Sequence, residues 1–211
     1  QIMLGVPESA RTQSPAVDPL NLPYTAVKAP MFSFRRLSGA DPLLGVEMAS
    51  TGEVGCFGHS KEEALAKALL ATGMRFPRRG VLLSLGPAAD KYLFAEEARM
   101  LADLGLAVYA TAVTAEVLAA EGVPCIALDK GEAGPHSDVL QRLRAGDIDL
   151  VINLPRTFDS EGRPDGFRIR RAAIDLEIPL ITDLALARAI VRMLTALPHT
   201  PLQPLPYSAY R

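Results

Sequence analysis

Residues 77–197 predict an α/β fold: a five-stranded, Rossmann-like parallel sheet with helices on both faces. Two observations carry this. Short apolar runs alternate with stretches of about 10–15 residues at helical spacing, the mark of successive βαβ units. Glycines stand where those helical stretches should stop. In order, VLLSL (81–85) is the first strand, and KYLFAEEARMLADLG (91–105) a helix stopped by Gly105. LAVYA (106–110) is the second strand. A helix over 115–121 comes next, with Thr114 as N-cap and Gly122 as stop. PCIAL (124–128) is the third strand, and SDVLQRLRAG the helix behind it. DLVINL (149–154) is the fourth, then the helix FRIRRAAIDLE, the short strand IPLIT (178–182), and a last helix, LALARAIVRML, with Asp183 as N-cap. Right-handed crossovers would distribute the helices over both faces.

Upstream, residues 1–76 read as an incomplete α+β tail of a larger domain. They offer a strand at VKAPMFSF, a turn and strand in GVEMASTGEVGCFG, and a helix in KEEALAKALLATG ending at Gly73. That is too little to close a core alone. Residues 198–211 form a proline-rich C-terminal tail expected to lie over the surface.

Composition excludes several classes. The formal net charge is −2, which argues against nucleic-acid or membrane-surface binding. No apolar run reaches the ~18–20 residues that span a bilayer, and QIMLGVPESA lacks the features of a signal peptide. Cys56 and Cys125 read as small buried hydrophobes in a reducing compartment. His59, His136 and His199 form no metal-binding spacing. Neither GxGxxG nor GxxxxGK[ST] occurs, so neither a dinucleotide fingerprint nor a P-loop is expected.

In open α/β sheets ligands sit beyond the carboxyl ends of the strands. There the sequence places Ser84 and Lys91, then Thr111 and Thr114, then Lys130, then Asn153 and Arg156. Hydroxyls, ammonium groups, an amide and a helix N-terminus suit a phosphate or carboxylate. Each residue also has an ordinary reading: Thr114 as a cap, Ser84 and Asn153 as partners of loop backbone, the lysines as surface charges. Arg156, Arg163, Arg168, Arg170 and Arg171 make a basic cluster, of which the last two can pair with carboxylates such as Asp175. Glu47 and Glu53 fit ordinary strand or turn positions. The joint placement on successive strand ends favours an anion site.

The stretch Gly39–Val54, GADPLLGVEMASTGEV, closely matches the pattern G-x-D-x-x-L-G-x-E-M-x-S-T-G-E-V. It resembles the end of the second ATP-grasp synthetase unit in the large chain of carbamoyl phosphate synthase. The chain beyond this stretch resembles that enzyme's allosteric domain, which shares its fold with methylglyoxal synthase. The matching pieces are ALLATG (68–73), the ATxxT turn (110–114), GDIDLVIN (146–153), IRRAAID (169–175) and IPLITD (178–183). The resemblance covers residues 25–197 and implies a methylglyoxal-synthase-like domain over 77–197.

It also implies roles. In bacterial members the pocket binds the phosphate of UMP or IMP, through positions that fall here on Ser84, Lys91 (with a one-residue shift), Thr111, Thr114, Lys130 and Asn153. The ammonia-dependent mitochondrial form answers to N-acetylglutamate; it carries a tryptophan where Lys130 stands and asparagines where Arg156 and Gly166 stand. Those departures favour a nucleotide monophosphate, although Asn153-Leu154-Pro155 is closer to the mitochondrial form. A methylglyoxal-synthase-type lyase is the enzyme alternative, but His136 stands about where its catalytic aspartate would be, with Asp138 two residues off, so the base is missing. The segment is therefore expected to be regulatory and non-catalytic, with no cofactor of its own, inside an ATP-dependent carbon–nitrogen ligase serving pyrimidine or arginine biosynthesis. The full enzyme would use ATP and Mg²⁺. Expected partners are the anionic effector, the rest of the large subunit and a glutaminase subunit or domain, with room for a homo-oligomer. The expected location is the cytoplasm, or the mitochondrial matrix if the effector is acetylglutamate.

Overall fold

The computed structural model describes residues 22–45, 48–129, 137–155, 166–197 and 202–210. The expected sheet is present. Strands β3 (Gly80–Leu85), β4 (Ala107–Thr111), β5 (Ile126–Leu128), β6 (Leu150–Leu154) and β7 (Leu180–Ile181) pair in parallel in the order β5-β4-β3-β6-β7. The chain starts in the middle, winds outward to β5, then returns to the other side of β3. The order therefore reverses between β3 and β6, which makes that junction the crevice where doubly wound sheets take ligands.

Every residue of β3 and β6 is buried. Side chains alternate across the sheet, so Val81, Leu83 and Leu85 join one core while Leu82 joins the other. The first core packs against α1 (Lys61–Ala71), α3 (Ala95–Asp103), α4 (Ala112–Ala120) and α7 (Leu184–Ala196). The second packs against α5 (Asp138–Ala145) and α6 (Phe167–Asp175). Gly105 and Gly122 close helices with φ of 81° and 71°, and Asp183 caps α7 by accepting from Leu186 N–H at 2.8 Å, as the sequence predicts.

Two expectations need correction. The helix expected over 91–105 is broken: α2 (Ala88–Leu93) ends and α3 begins about Phe94, whose ring is fully buried and whose φ and ψ are −99° and 0°. Burying that ring turns the chain where a continuous apolar pattern had suggested none. The cysteines are only half-buried, Cys125 placing its Sγ 3.8 Å from the Ala115 carbonyl.

Before the sheet, β1 (Thr25–Phe32) pairs with β2 (Ser50–Gly58) in an antiparallel hairpin. A Cβ on Gly58 would lie 2.5 Å from the Ala64 backbone nitrogen, so only glycine lets α1 approach. Ser60 caps α1 through Glu63 N–H, and Glu63 takes Lys67 at 2.5 Å one turn on. Ala66 and Leu69 of α1 share the first core, which thus runs across residue 76. A 3₁₀ turn, Tyr207–Tyr210, returns to the hairpin: Tyr210 is buried, its hydroxyl 2.7 Å from Lys67 Nζ, and Tyr24 and Tyr207 hydroxyls lie 2.9 Å apart. Among the described residues no helix is long and apolar enough to cross a membrane, and no group of three His, Cys, Asp or Glu could hold a metal ion.

Candidate anion site at the strand ends

Parallel pairing sets the register β3 to β6 so that Ser84 faces Asn153 across the reversal point. Both are buried in strands that are otherwise apolar. Asn153 Nδ2 donates to the Ser84 carbonyl at 3.4 Å. A buried polar pair at the end of two central strands needs a hydrogen-bonding reason to be there, and this one sits at the ligand crevice.

Thr111 is the last residue of β4, and α4 starts immediately after it at Ala112. The expectation that Thr114 caps a helix over 115–121 is thereby overturned. Thr111 occupies the N-cap position and its side chain caps nothing; Thr114 lies inside the first turn, 1 % exposed. Because the helix starts three residues early, the Thr114 hydroxyl points back at the sheet. There it accepts Leu85 N–H at 3.2 Å and lies 3.3 Å from Thr111 Oγ1. The α4 N-terminus, uncapped by Thr111, faces the same strand ends, where its dipole favours negative charge.

Lys91 lies on a helix, as the sequence predicts, but in α2 and buried at 4 % exposure, so its ordinary reading as a solvated surface charge is overturned. Its Nζ donates to the carbonyl of Gly86 at 2.7 Å and lies 3.4 Å from that of Pro87. Gly86 N–H in turn donates to Leu154 O at 2.8 Å, binding the loop after β3 to the end of β6. Ser84, Lys91, Thr111, Thr114 and Asn153 thus all engage the short run 84–87 or one another. Lys130 and Arg156 lie outside the described residues, as do His136, Arg163 and Glu47.

The sequence placed Arg170 only in a basic cluster, able to pair with a carboxylate such as Asp175; its partner is instead Asp41. Arg170, fully enclosed, donates Nη1–H to Asn153 Oδ1 at 2.6 Å, while Nε and Nη2 reach the two oxygens of Asp41 at 2.8 and 2.6 Å. Arg171 pairs with Asp175 as expected, and its Nη1 also donates to the carbonyls of Phe34, Leu37 and Ala40. Gly166, at φ 83°, lets α6 begin against the site: a Cβ there would lie 2.6 Å from Asn153 Nδ2. Asp149 was also unforeseen; its carboxylate accepts the backbone N–H groups of Arg78, Arg79 and Gly80 and fixes the entry to β3. Glu53 sits on β2 against Lys28 at the surface, and Asp138 is the exposed first residue of α5.

Comparison with known proteins adds the family context. Residues 94–182 match the family described as MGS-like domain. The chain is 43 % identical over 187 residues to multifunctional protein pyr1-3 of Dictyostelium discoideum, covering 86 % of the chain and 8 % of that relative. It is 39 % identical over 190 residues to multifunctional protein CAD of Squalus acanthias, covering 83 % and 8 %. It is 40 % identical over 169 residues to the mitochondrial carbamoyl-phosphate synthase (ammonia) of Homo sapiens, covering 78 % and 11 %. The chain spans only these small fractions of its relatives' length.

Proposed function

We propose that this chain, which carries an MGS-like domain and belongs with the carbamoyl phosphate synthase proteins, is the regulatory, C-terminal part of such a synthase. In this reading it binds an anionic metabolite and tunes carbamoyl phosphate synthesis elsewhere in a longer polypeptide. The observation that carries the reading is the placement of Ser84 opposite Asn153 at the sheet's reversal point, with buried Lys91, Thr111 and Thr114 around the same run of backbone. Hydroxyl and amide donors, a desolvated ammonium and a helix N-terminus together favour a ligand with full negative charge.

The effector we favour is a nucleoside monophosphate, UMP or IMP, its phosphate at the strand ends with Lys130 and Arg156 as further cationic ligands. A second reading, N-acetylglutamate, is favoured by Asn153-Leu154-Pro155 and by the 40 % identity to a mitochondrial ammonia-type synthase. Under the first reading the protein works in the cytoplasm beside a glutaminase, with ATP and Mg²⁺ used outside this segment. Under the second it works in the mitochondrial matrix. Lyase chemistry on the same phosphate pocket is disfavoured because His136 stands where a carboxylate base is needed.

Calorimetric titration of the chain with UMP, IMP and N-acetylglutamate tests this. We expect a nucleotide to bind, and Lys130→Ala to weaken it by about 1.5–3 kcal/mol, the range for a hydrogen bond to a charged group. Thr111→Val, folded by its thermal melt, should bind more weakly too. Binding of acetylglutamate alone would move the assignment to the second reading, and methylglyoxal formed from dihydroxyacetone phosphate would overturn both.

A further inference from the structure

We propose that Asp41 and a bound anion compete for Arg170, and that this competition carries the state of the strand-end site to the upstream segment 33–41. The inference rests on the anion-site reading above and names the regulation of that site.

The geometry begins with a constraint on Asn153. A side-chain amide can face either way, but arginine has only donors, so Asn153 Oδ1 must face Arg170 Nη1 at 2.6 Å. The amide NH₂ is then the end turned toward the Ser84 carbonyl and the strand ends. Arg170 therefore fixes Asn153 as a donor toward the site, as an anion requires. Arg170 is a positioning residue: it is fully buried and acts through Asn153.

The same guanidinium already holds an anion. Asp41 takes Nε and Nη2 side-on, one oxygen each, and supplies the opposite charge that a buried arginine needs. Two negative groups drawing on one cation oppose each other, because each raises the other's energy in a poorly screened interior. A ligand anion received by Asn153 should loosen Asp41, and losing the Asp41 charge should tighten the ligand. Linkage requires both effects to be equal in free energy.

Asp41 also has somewhere to send the signal. It ends a segment that includes the 3₁₀ turn Phe34–Arg36, and Arg171, the next residue on α6, holds that segment by the carbonyls of Phe34, Leu37 and Ala40. Arg171 has its own counter-charge in Asp175. Of two successive arginines, one anchors the segment by hydrogen bonds to neutral carbonyls and the other by a charge pair joined to the site through Asn153. Gly166 packs closely on Asn153 and Arg170, since a Cβ there would lie 2.6 Å from Asn153 Nδ2 and 3.1 Å from Arg170 Nη1.

The test uses the whole chain, inorganic phosphate and UMP as probes, calorimetry for affinity, and hydrogen exchange of residues 33–41 with and without probe. Asp41→Asn should tighten both probes about five-fold or more, the low end of ordinary coupling. In the parent chain either probe should speed exchange over 33–41, and in Asp41→Asn it should not. Asp41→Glu keeps the charge and should bind like the parent, whereas a purely structural Asp41 would make both variants bind more weakly. Unchanged or weaker binding by Asp41→Asn overturns the competition and leaves the site standing. No binding of either probe by the parent chain removes the site itself, and the competition with it.

Discussion

Strand β3 and strand β1 have comparable lengths, six and eight residues, yet all six residues of β3 are buried and only Ala29 of β1 is. The parallel sheet draws its stability from apolar area on two faces, and its polar side chains gather at one edge. The hairpin with its 3₁₀ clasp works differently. It leaves Met31 and Phe32 more than a third exposed and is held by rings and hydrogen bonds among Tyr24, Phe57, Lys67, Tyr207 and Tyr210. A fold can thus be secured by mass in one region and by a few bridging contacts in another, and the two should fail differently.

The largest break is expected at the sheet. Leu83→Ala, at a fully buried central position, should cost about 2–5 kcal/mol in global stability by urea unfolding. Tyr210→Ala should cost about 1–3 kcal/mol, but locally: hydrogen exchange should accelerate over 25–58 and not over 80–85. Equal acceleration in both would mean that hairpin and sheet open together, and the contrast would fail. Thr114→Val keeps the shape and leaves Leu85 N–H without its hydroxyl acceptor, so it should cost about 1–2 kcal/mol by thermal unfolding.

The smallest effect is a pH dependence confined to the hairpin side. The hydrogen bond from Lys67 holds the Glu63 carboxyl below its ordinary value of 4.5, outweighing partial burial. A depressed carboxyl stabilises the fold above its unfolded value. That contribution, at most about 1 kcal/mol for a partly exposed pair, should vanish as pH falls below 4.5 and through the folded value. Glu63→Gln should flatten this part of the pH–stability curve.

The parallel sheet was legible because its strands are continuous apolar runs between glycine stops, and a buried parallel strand has to look like that. The caps at Gly105, Gly122 and Asp183 were legible because each is a local requirement. The break at Phe94 was not, because Tyr92, Leu93 and Phe94 continue an apolar pattern whether or not the backbone turns. The start of α4 was misjudged for a related reason: Ala112 and Val113 fit strand or helix equally, so the pattern alone could not say which threonine came first in the helix. Ser84, Lys91, Thr111, Thr114 and Asn153 were singled out by position at strand ends, and the structure brings these five together. Arg170 was recognised only as one of a basic cluster, because its partner Asp41 lies 129 residues away and no spacing rule joins them.

The clasp has a geometric consequence. Tyr24 and Tyr207 touch although 183 positions separate them, so the described chain leaves and returns at one place. Polypeptide joined before Tyr24 and polypeptide joined after Tyr210 would start side by side, and the intervening residues would hang from them like a pendant on a closed ring. Pulling on those two attachment points would load the tyrosine clasp first and leave the sheet slack. Such an arrangement also suits circular permutation, since the two attachment points could be joined by a short bridge and the chain reopened elsewhere.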